Sequence, residues 1–350
     1  MTDDLAGPWL LVVGMHRSGT SALTGALGAM GLNEVRSEDR VDWPESNPEH
    51  WESLSVSRYD EGLLHQLGGS WDVPPDFPDG WEHSPEIRKA GDPLALLAKA
   101  FPATGPSVWK DPRLCLLLPY WREVLPPPIA AVFIWRPPLA VAHSLRRRDQ
   151  LTIVEGVALW ERYNRSAIEG LQGIDTYVLN YESLLEEPER YLTALGTWLS
   201  SLEQFRDTID GRDIHLATGA IASDLHKGSE ARSKDGHVVL QAEQLELVQL
   251  LTDLSGGHRA MRSELPSMES AWTASVLRAR GTISALNEEL DSTKLALRIA
   301  NNYLESTKAE LDFANGRIAG LHASTSWKVT KPVRALTATL ERSRRHPPES

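Results

Sequence analysis

The sequence predicts an α/β fold, a parallel sheet flanked by helices, followed by a C-terminal coiled-coil helix. Three observations predict it. Apolar runs of strand length alternate with helical patterns, a glycine-rich loop joins the first run to the first helical pattern, and a sevenfold apolar recurrence fills the chain after Pro266. Alternation of this kind is the pattern of strands laid side by side with helices crossing over between them.

In chain order, strands are expected at 9–13, 107–109, 130–135 and 176–179, with helices near 20–30, 113–124, 139–170 and 184–200. Trp9-Leu10-Leu11-Val12-Val13 and Ala130-Ala131-Val132-Phe133-Ile134-Trp135 are apolar at every position, as buried parallel strands require. Ligands of such sheets bind at the carboxyl ends of the strands. The stretch from Ser70 to Pro93, dense in Pro, Asp, Gly and Trp, reads as an ordered surface excursion suited to an acceptor pocket. From Ser223 to His237 the chain is polar and reads as a loop. Residues 1–262 form one expected domain, 263–322 the coiled coil and 323–350 a basic tail.

Composition narrows the function classes. Lys and Arg number 36 against 48 Asp and Glu, for a net charge of −12, which argues against nucleic acid as the main partner because a polyphosphate needs a basic footprint. Positive charge must therefore be concentrated locally. Cys115 is the single cysteine, so no intrachain disulfide can form. Met1-Thr2-Asp3-Asp4 lacks the basic start and apolar core of a signal peptide, and no apolar run approaches the roughly 20 residues of a membrane span. The expectation is a soluble, cytoplasmic protein.

Gly14-Met15-His16-Arg17-Ser18-Gly19-Thr20-Ser21 follows the first strand and opens the first helix. Two glycines with four residues between them let the backbone N–H groups turn inward, and the helix N-terminus adds favourable partial charge for an anion. A nucleoside triphosphatase loop would carry lysine after the second glycine. Here that position is Thr20, and the cation is Arg17. Further on, Arg136 follows the central strand and Ser144 comes eight residues later; between loop and strand lies Trp109-Lys110-Asp111-Pro112-Arg113, and Tyr181-Glu182-Ser183-Leu184 precedes Pro188.

On these residues the chain resembles the sulfotransferases that use 3′-phosphoadenosine 5′-phosphosulfate, and in particular the bacterial sulfotransferases of cell-envelope glycans, which carry a pattern similar to Asn47-Pro48-Glu49-His50-Trp51-Glu52. The motifs cover residues 9 to 230. The resemblance implies that Gly14, His16, Arg17, Ser18, Gly19, Thr20 and Ser21 bind the 5′-phosphosulfate end of the donor, that Arg136 and Ser144 hold its 3′-phosphate, and that Lys110 lies beside the transferred group. Arg17 and Lys110 would supply the positive charge. Glu52 is the first choice for the base that an acceptor hydroxyl needs, with Glu49 and Glu38 as competitors. Lys227-Gly228 is similar to a late basic loop over the nucleotide. No metal is required, and the implied acceptor is a glycan or glycolipid. Trp43, Trp51, Trp71 and Trp81 are candidates for a stacking floor under sugar rings.

After Pro266, Val276, Ile283, Leu290, Leu297, Leu304, Leu311 and Ile318 recur every seven residues, with Ala279, Leu286, Thr293, Ala300, Thr307, Ala314 and Leu321 three positions later. This is an a/d seam, and it predicts a homo-oligomer joined through the coil. The tail, Ser324 to Arg334 with Arg342, Arg344 and Arg345, resembles a short motif at the ends of glycan-assembly enzymes; its Trp327, Val329, Val333 and Leu336 beside basic residues would suit an anionic membrane surface at the inner face. Pro332 is read as a helix breaker there.

Two other classes stay open: a small-molecule kinase, against which the missing lysine argues, and a non-catalytic assembly factor acting through the coil.

Overall fold

The structure is a computed structural model that describes residues 7–41, 51–209, 214–219, 221 and 239–345, with side chains described as far as residue 338. The chain divides into two compact units, Met1–Thr282 and Ile283–Ser350.

The first unit is built on a five-stranded sheet. β1 (Trp9–Val13), β2 (Ser107–Lys110), β3 (Ile129–Trp135), β4 (Asp175–Asn180) and β5 (Gly256–His258) lie in the order β2-β1-β3-β4-β5. The first four are parallel, with Val12 opposite Lys110, Val13 opposite Phe133 and Trp135 opposite Asn180. All four expected strands are present. β5, which pairs antiparallel to β4, was not expected, because three residues containing two glycines carry neither an apolar run nor an alternation.

The sheet is buried on both faces, which explains the continuous apolar runs. Trp9, Leu11, Val13, Ala131, Phe133 and Trp135 point into one core, whereas Leu10, Val12, Ala130, Val132 and Ile134 point into the other. One run therefore feeds two cores through the period of two.

Helices α1 (Thr20–Ala29), α2 (Leu54–Gln66), α3 (Pro85–Arg88), α4 (Pro93–Ala100), α5 (Leu114–Val124), α6 (Pro138–Asp149), α7 (Ile153–Gly170), α8 (Tyr181–Glu186) and α9 (Pro188–Ser201) follow in order, and a further helix spans Ala242–Asp253. The helix expected over 139–170 is two helices. Gln150 adopts φ 59°, and Thr152 opens α7 with a capping box to Glu155, so the chain stops and restarts within three residues. Likewise, the pattern at 184–200 divides at Glu187, because Pro188 disfavours helical geometry in the residue before it. α6 and α7 pack closely: a Cβ on Gly156 would lie 2.7 Å from Ala142 Cα. Trp160 of α7 donates through Nε1 to the Arg136 carbonyl at 2.8 Å, which fixes the β3 exit.

The long helix Ala271–Ala323 begins in the first unit. Buried Glu161 of α7 accepts from the Ser270 backbone N–H at 2.9 Å, the Ser270 hydroxyl at 2.9 Å and the Thr273 hydroxyl at 2.6 Å. Val276 packs against the core and Leu277 is buried. The first heptad of the sequence pattern is thus taken up by the α/β unit, and the exposed seam starts at Ile283.

In the second unit, short helix Thr325–Val329 and helix Lys331–Arg345 follow the long one. Pro332 stands in the first turn of the last helix rather than breaking one. Proline suits that position because an N–H there has no intrahelical partner in any case. Among the described residues no helix is long and apolar enough to cross a membrane.

Candidate active site

The four parallel strands end side by side, and each exit carries one of the sequence motifs: Gly14 after β1, Lys110 at the end of β2, Arg136 after β3 and Tyr181 after β4. The loop after β1 is shaped by close approach. A Cβ on Gly14 would lie 2.3 Å from the Ile134 carbonyl oxygen, and one on Gly19 would lie 2.0 Å from the Tyr181 ring. Arg17 and Gly19 take positive φ, 70° and 89°, and no side chain caps the start of α1. The first-turn N–H groups are therefore left to whatever occupies the loop.

The loop and the β3 exit meet through side chains. Arg17 Nε donates to Ser144 Oγ at 2.8 Å, and the Arg136 guanidinium lies 5.3 Å from the centre of the Tyr181 ring. Three buried atoms of this region, His16 Nε2, Ser18 Oγ and Arg136 Nε, have no hydrogen-bond partner among the described residues; Glu182 is 3.7 Å from Arg136 Nε, beyond bonding reach. Buried polar atoms of native proteins are almost always paired, so this cluster of Ser, Arg and His atoms fits a polar ligand. Burial lowers the Arg17 pKa, Arg148 lowers it further against the opposing effect of Asp149, and Arg136 and Arg147 add to the lowering. An acidic protein thus gathers several cations at one point, where an anion would relieve their repulsion.

At the β2 exit, Lys110 is almost completely buried and its Nζ lies 2.5 Å from Glu52 Oε1. Two further contacts follow in register. Ser57 donates to Asp111 Oδ2 at 2.7 Å, and Arg113 Nε donates to Glu61 Oε2 at 2.7 Å. Ser57 and Glu61 are four residues apart on α2 and so face the same way; together with Glu52 they clamp the helix to the Lys110–Arg113 segment. Ser53 caps α2 by accepting from Val56 N–H at 3.1 Å. Asp39, which sequence reasoning missed, accepts from the Ser53 and Ser55 hydroxyls and ties down the residues that follow Glu52.

His16 is buried, with its ring 4.6 Å from Trp71 and 6.0 Å from Tyr163. Burial holds its pKa well below the usual histidine value, helped by Arg148, Arg113, Lys110 and Arg17. The ring is neutral at physiological pH.

Arg17, Lys110 and Arg136 therefore sit at adjoining strand exits, joined there by Glu52 and Ser144, with Gly14, His16, Ser18 and Gly19 in the loop after β1 and Thr20 and Ser21 in the first turn of α1. Glu38 is fully exposed, and its carboxyl is held low by its own backbone N–H and by Ser37. Glu49, Trp43 and Lys227-Gly228 lie outside the described residues. Of the described tryptophans proposed for a floor, Trp51 receives the Arg40 guanidinium at 4.1 Å, Trp71 covers His16, and Trp81 is buried against Phe77. Residues overlooked in the sequence are Ser57, Glu61 and Arg148. The Arg146-Arg147-Arg148 run was the one visible signal among them.

No family model matches the chain, and no curated protein matches it. Solved structures similar to it include two sulfotransferases. The sulfotransferase domain from the Synechococcus PCC 7002 olefin synthase is 19% identical with a TM-score of 0.41, covering 70% of this chain and 94% of that one. Sulfotransferase STF1 from Mycobacterium tuberculosis H37Rv is 17% identical with a TM-score of 0.32, covering 63% of this chain and 78% of that one.

Proposed function

We propose that the protein is a sulfotransferase that moves a sulfuryl group from 3′-phosphoadenosine 5′-phosphosulfate to a hydroxyl or amine of a glycan, glycolipid or similar acceptor. The observation that carries the reading is the Arg17–Ser144 hydrogen bond of 2.8 Å. It joins the anion loop to α6, which bears Ser144 just after Arg136 at the β3 exit, so one ligand with two anionic ends can touch both.

In this reading the N–H groups and hydroxyls from Ser18 to Ser21 hold the 5′ end, and Arg136 with Ser144 holds the 3′-phosphate. The orphaned Ser18 Oγ and Arg136 Nε are the donors such a ligand would pair. The donor supplies the sulfuryl group; the chain supplies position and charge. Arg17 and Lys110 face the charge that develops on transfer. Glu52 accepts the acceptor's proton, and in the resting protein its carboxylate is paired with Lys110. As Glu52 takes the proton it releases its hold on Lys110, whose ammonium becomes free to donate to the leaving oxygen. Glycan or glycolipid as acceptor rests on the resemblance of residues 47–52 and of the tail to envelope-glycan enzymes.

The test is paired. Calorimetry should show preference for 3′-phosphoadenosine 5′-phosphate over adenosine 5′-phosphate, and labelled sulfate should pass to a component of fractionated cell-envelope extract. Equal affinity for the two nucleotides would overturn the donor assignment.

A further inference from the structure

We propose that the exposed seam of the long helix pairs with a second copy of this chain in parallel and in register. From Ile283 to Leu321 the helix is exposed, yet Ile283, Leu290, Leu297, Leu304, Leu311 and Ile318 lie along one line of it, each at least 50% exposed. Water is a poor partner for such a line. Its strict period of seven, rather than 3.6, is the period of two helices wound around each other. The inference is independent of what the loop binds.

The charges beside the seam select partner and direction. With the leucines at a, the e positions are Asn287, Lys294, Asn301, Lys308 and Asn315, and the g positions are Thr282, Glu289, Ala296, Tyr303, Glu310 and Arg317. Among these, acid occurs only at g and lysine only at e. In a parallel pair each g residue meets the e residue five positions later on the other helix. Glu289 then faces Lys294 of the second copy, and Tyr303 faces its Lys308, an ammonium beside an aromatic ring. By symmetry each contact forms twice. In an antiparallel pair g faces g. Over the full seam, where Ile283 lies opposite Leu321, that alignment sets Glu289 against Arg317 of the second copy and, where e faces e, Lys294 against Lys308, each twice. The parallel pair thus gathers attractions without a like-charge contact, whereas the antiparallel pair sets a lysine–lysine repulsion against each attraction. Within each helix, Lys294 and Lys308 bond at 2.9 Å to Asp291 and Glu305, exposed pairs that a neighbouring helix can rearrange at little cost.

Two measurements on the full-length chain test the proposal. Leu286→Cys and Leu321→Cys, made singly, should each cross-link to themselves under mild oxidation, while the buried Cys115 of the unaltered chain gives no dimer. Cross-linking only when the two variants are mixed, or none at either position, would overturn it. The second measurement is the dimer dissociation constant by light scattering or sedimentation. Glu289→Lys should weaken association by roughly 2- to 10-fold and Glu289→Lys with Lys294→Glu should restore it, the range expected for exposed ion pairs. Unchanged or tighter association in Glu289→Lys would overturn the parallel arrangement, and a single-chain mass for the unaltered protein would overturn pairing altogether.

Discussion

Arg17 and Ser144, separated by 127 positions in the chain, are joined by a hydrogen bond of 2.8 Å from Nε to Oγ. The bond spans the exits of β1 and β3, neighbouring strands of the sheet, and makes the loop and α6 one surface.

From this follows a graded effect on donor-product affinity. Arg136→Ala should weaken 3′-phosphoadenosine 5′-phosphate by about 1.5–3 kcal/mol, the value of a charge-assisted hydrogen bond, and leave adenosine 5′-phosphate nearly unchanged. Ser144→Ala should weaken it less, because a neutral hydroxyl is lost, while also freeing Arg17. Calorimetric titration of both nucleotides against each variant checks the ordering.

The Lys110–Glu52 pair predicts a division between stability and turnover. Glu52→Gln keeps the shape and a hydrogen bond to Lys110 Nζ but cannot take up a proton, so sulfate transfer should fall by roughly 10²- to 10⁴-fold with the fold intact. Glu38→Gln should be neutral, since Glu38 is solvated. A transfer assay alongside thermal unfolding separates the two effects, and full activity in Glu52→Gln would move the base elsewhere.

Much of this arrangement is legible in the sequence, for a physical reason. Strands buried on both faces must be apolar throughout, so β1 and β3 are conspicuous, and an anion loop needs glycine where backbone approaches backbone, as Gly14 does at the Ile134 carbonyl. What could not be read depends on tertiary pairing. Glu52, Ser57 and Glu61 meet Lys110, Asp111 and Arg113 across separations of more than 50 positions, and no local period encodes such a meeting. An aromatic count carries no information about placement: Trp51 meets Arg40, Trp71 covers His16 and Trp81 packs on Phe77. The heptad pattern was visible in full, but Val276 is claimed by the core of the first unit, which sequence periodicity cannot distinguish from a seam.

His16 makes stability depend on pH. Its folded pKa is depressed, chiefly by burial and then by Arg148, Arg113, Lys110 and Arg17, so the unfolded chain takes up the proton first. The sign follows: the contribution is fully present above the unfolded value of about 6.5 and is lost as pH falls below it, by about 1.4 kcal/mol per pH unit at most, until the folded pKa is reached. Urea unfolding at pH 8 and pH 5.5 should show a larger loss on acidification for the unaltered protein than for His16→Phe, which keeps an aromatic ring against Trp71 without a titrating group. Equal losses would contradict the assignment of a neutral buried imidazole.

The last prediction concerns a route from the long helix to the loop. Arg280 donates through Nε to the Asp72 carbonyl at 2.8 Å, pairs with the Asp72 carboxylate, and reaches Glu155 at the start of α7 at 2.9 Å. Its neighbour in this chain of contacts, Trp71, covers His16 at 4.6 Å and accepts from the Tyr163 hydroxyl at 2.6 Å. The base of the helix therefore holds down the segment that covers His16 in the loop after β1. Arg280→Ala removes charge-assisted bonds of about 1.5–3 kcal/mol in all at a position that touches none of the proposed donor-site residues. Hydrogen exchange should then quicken across residues 70–76, and donor-product affinity should fall several-fold through loss of the ordered loop wall, while Arg280→Lys, which keeps the charge but not the fork, should fall between the two. Faster exchange with unchanged affinity would show that Trp71 keeps His16 in place without the helix, and unchanged exchange would show that Asp72 is held by other contacts.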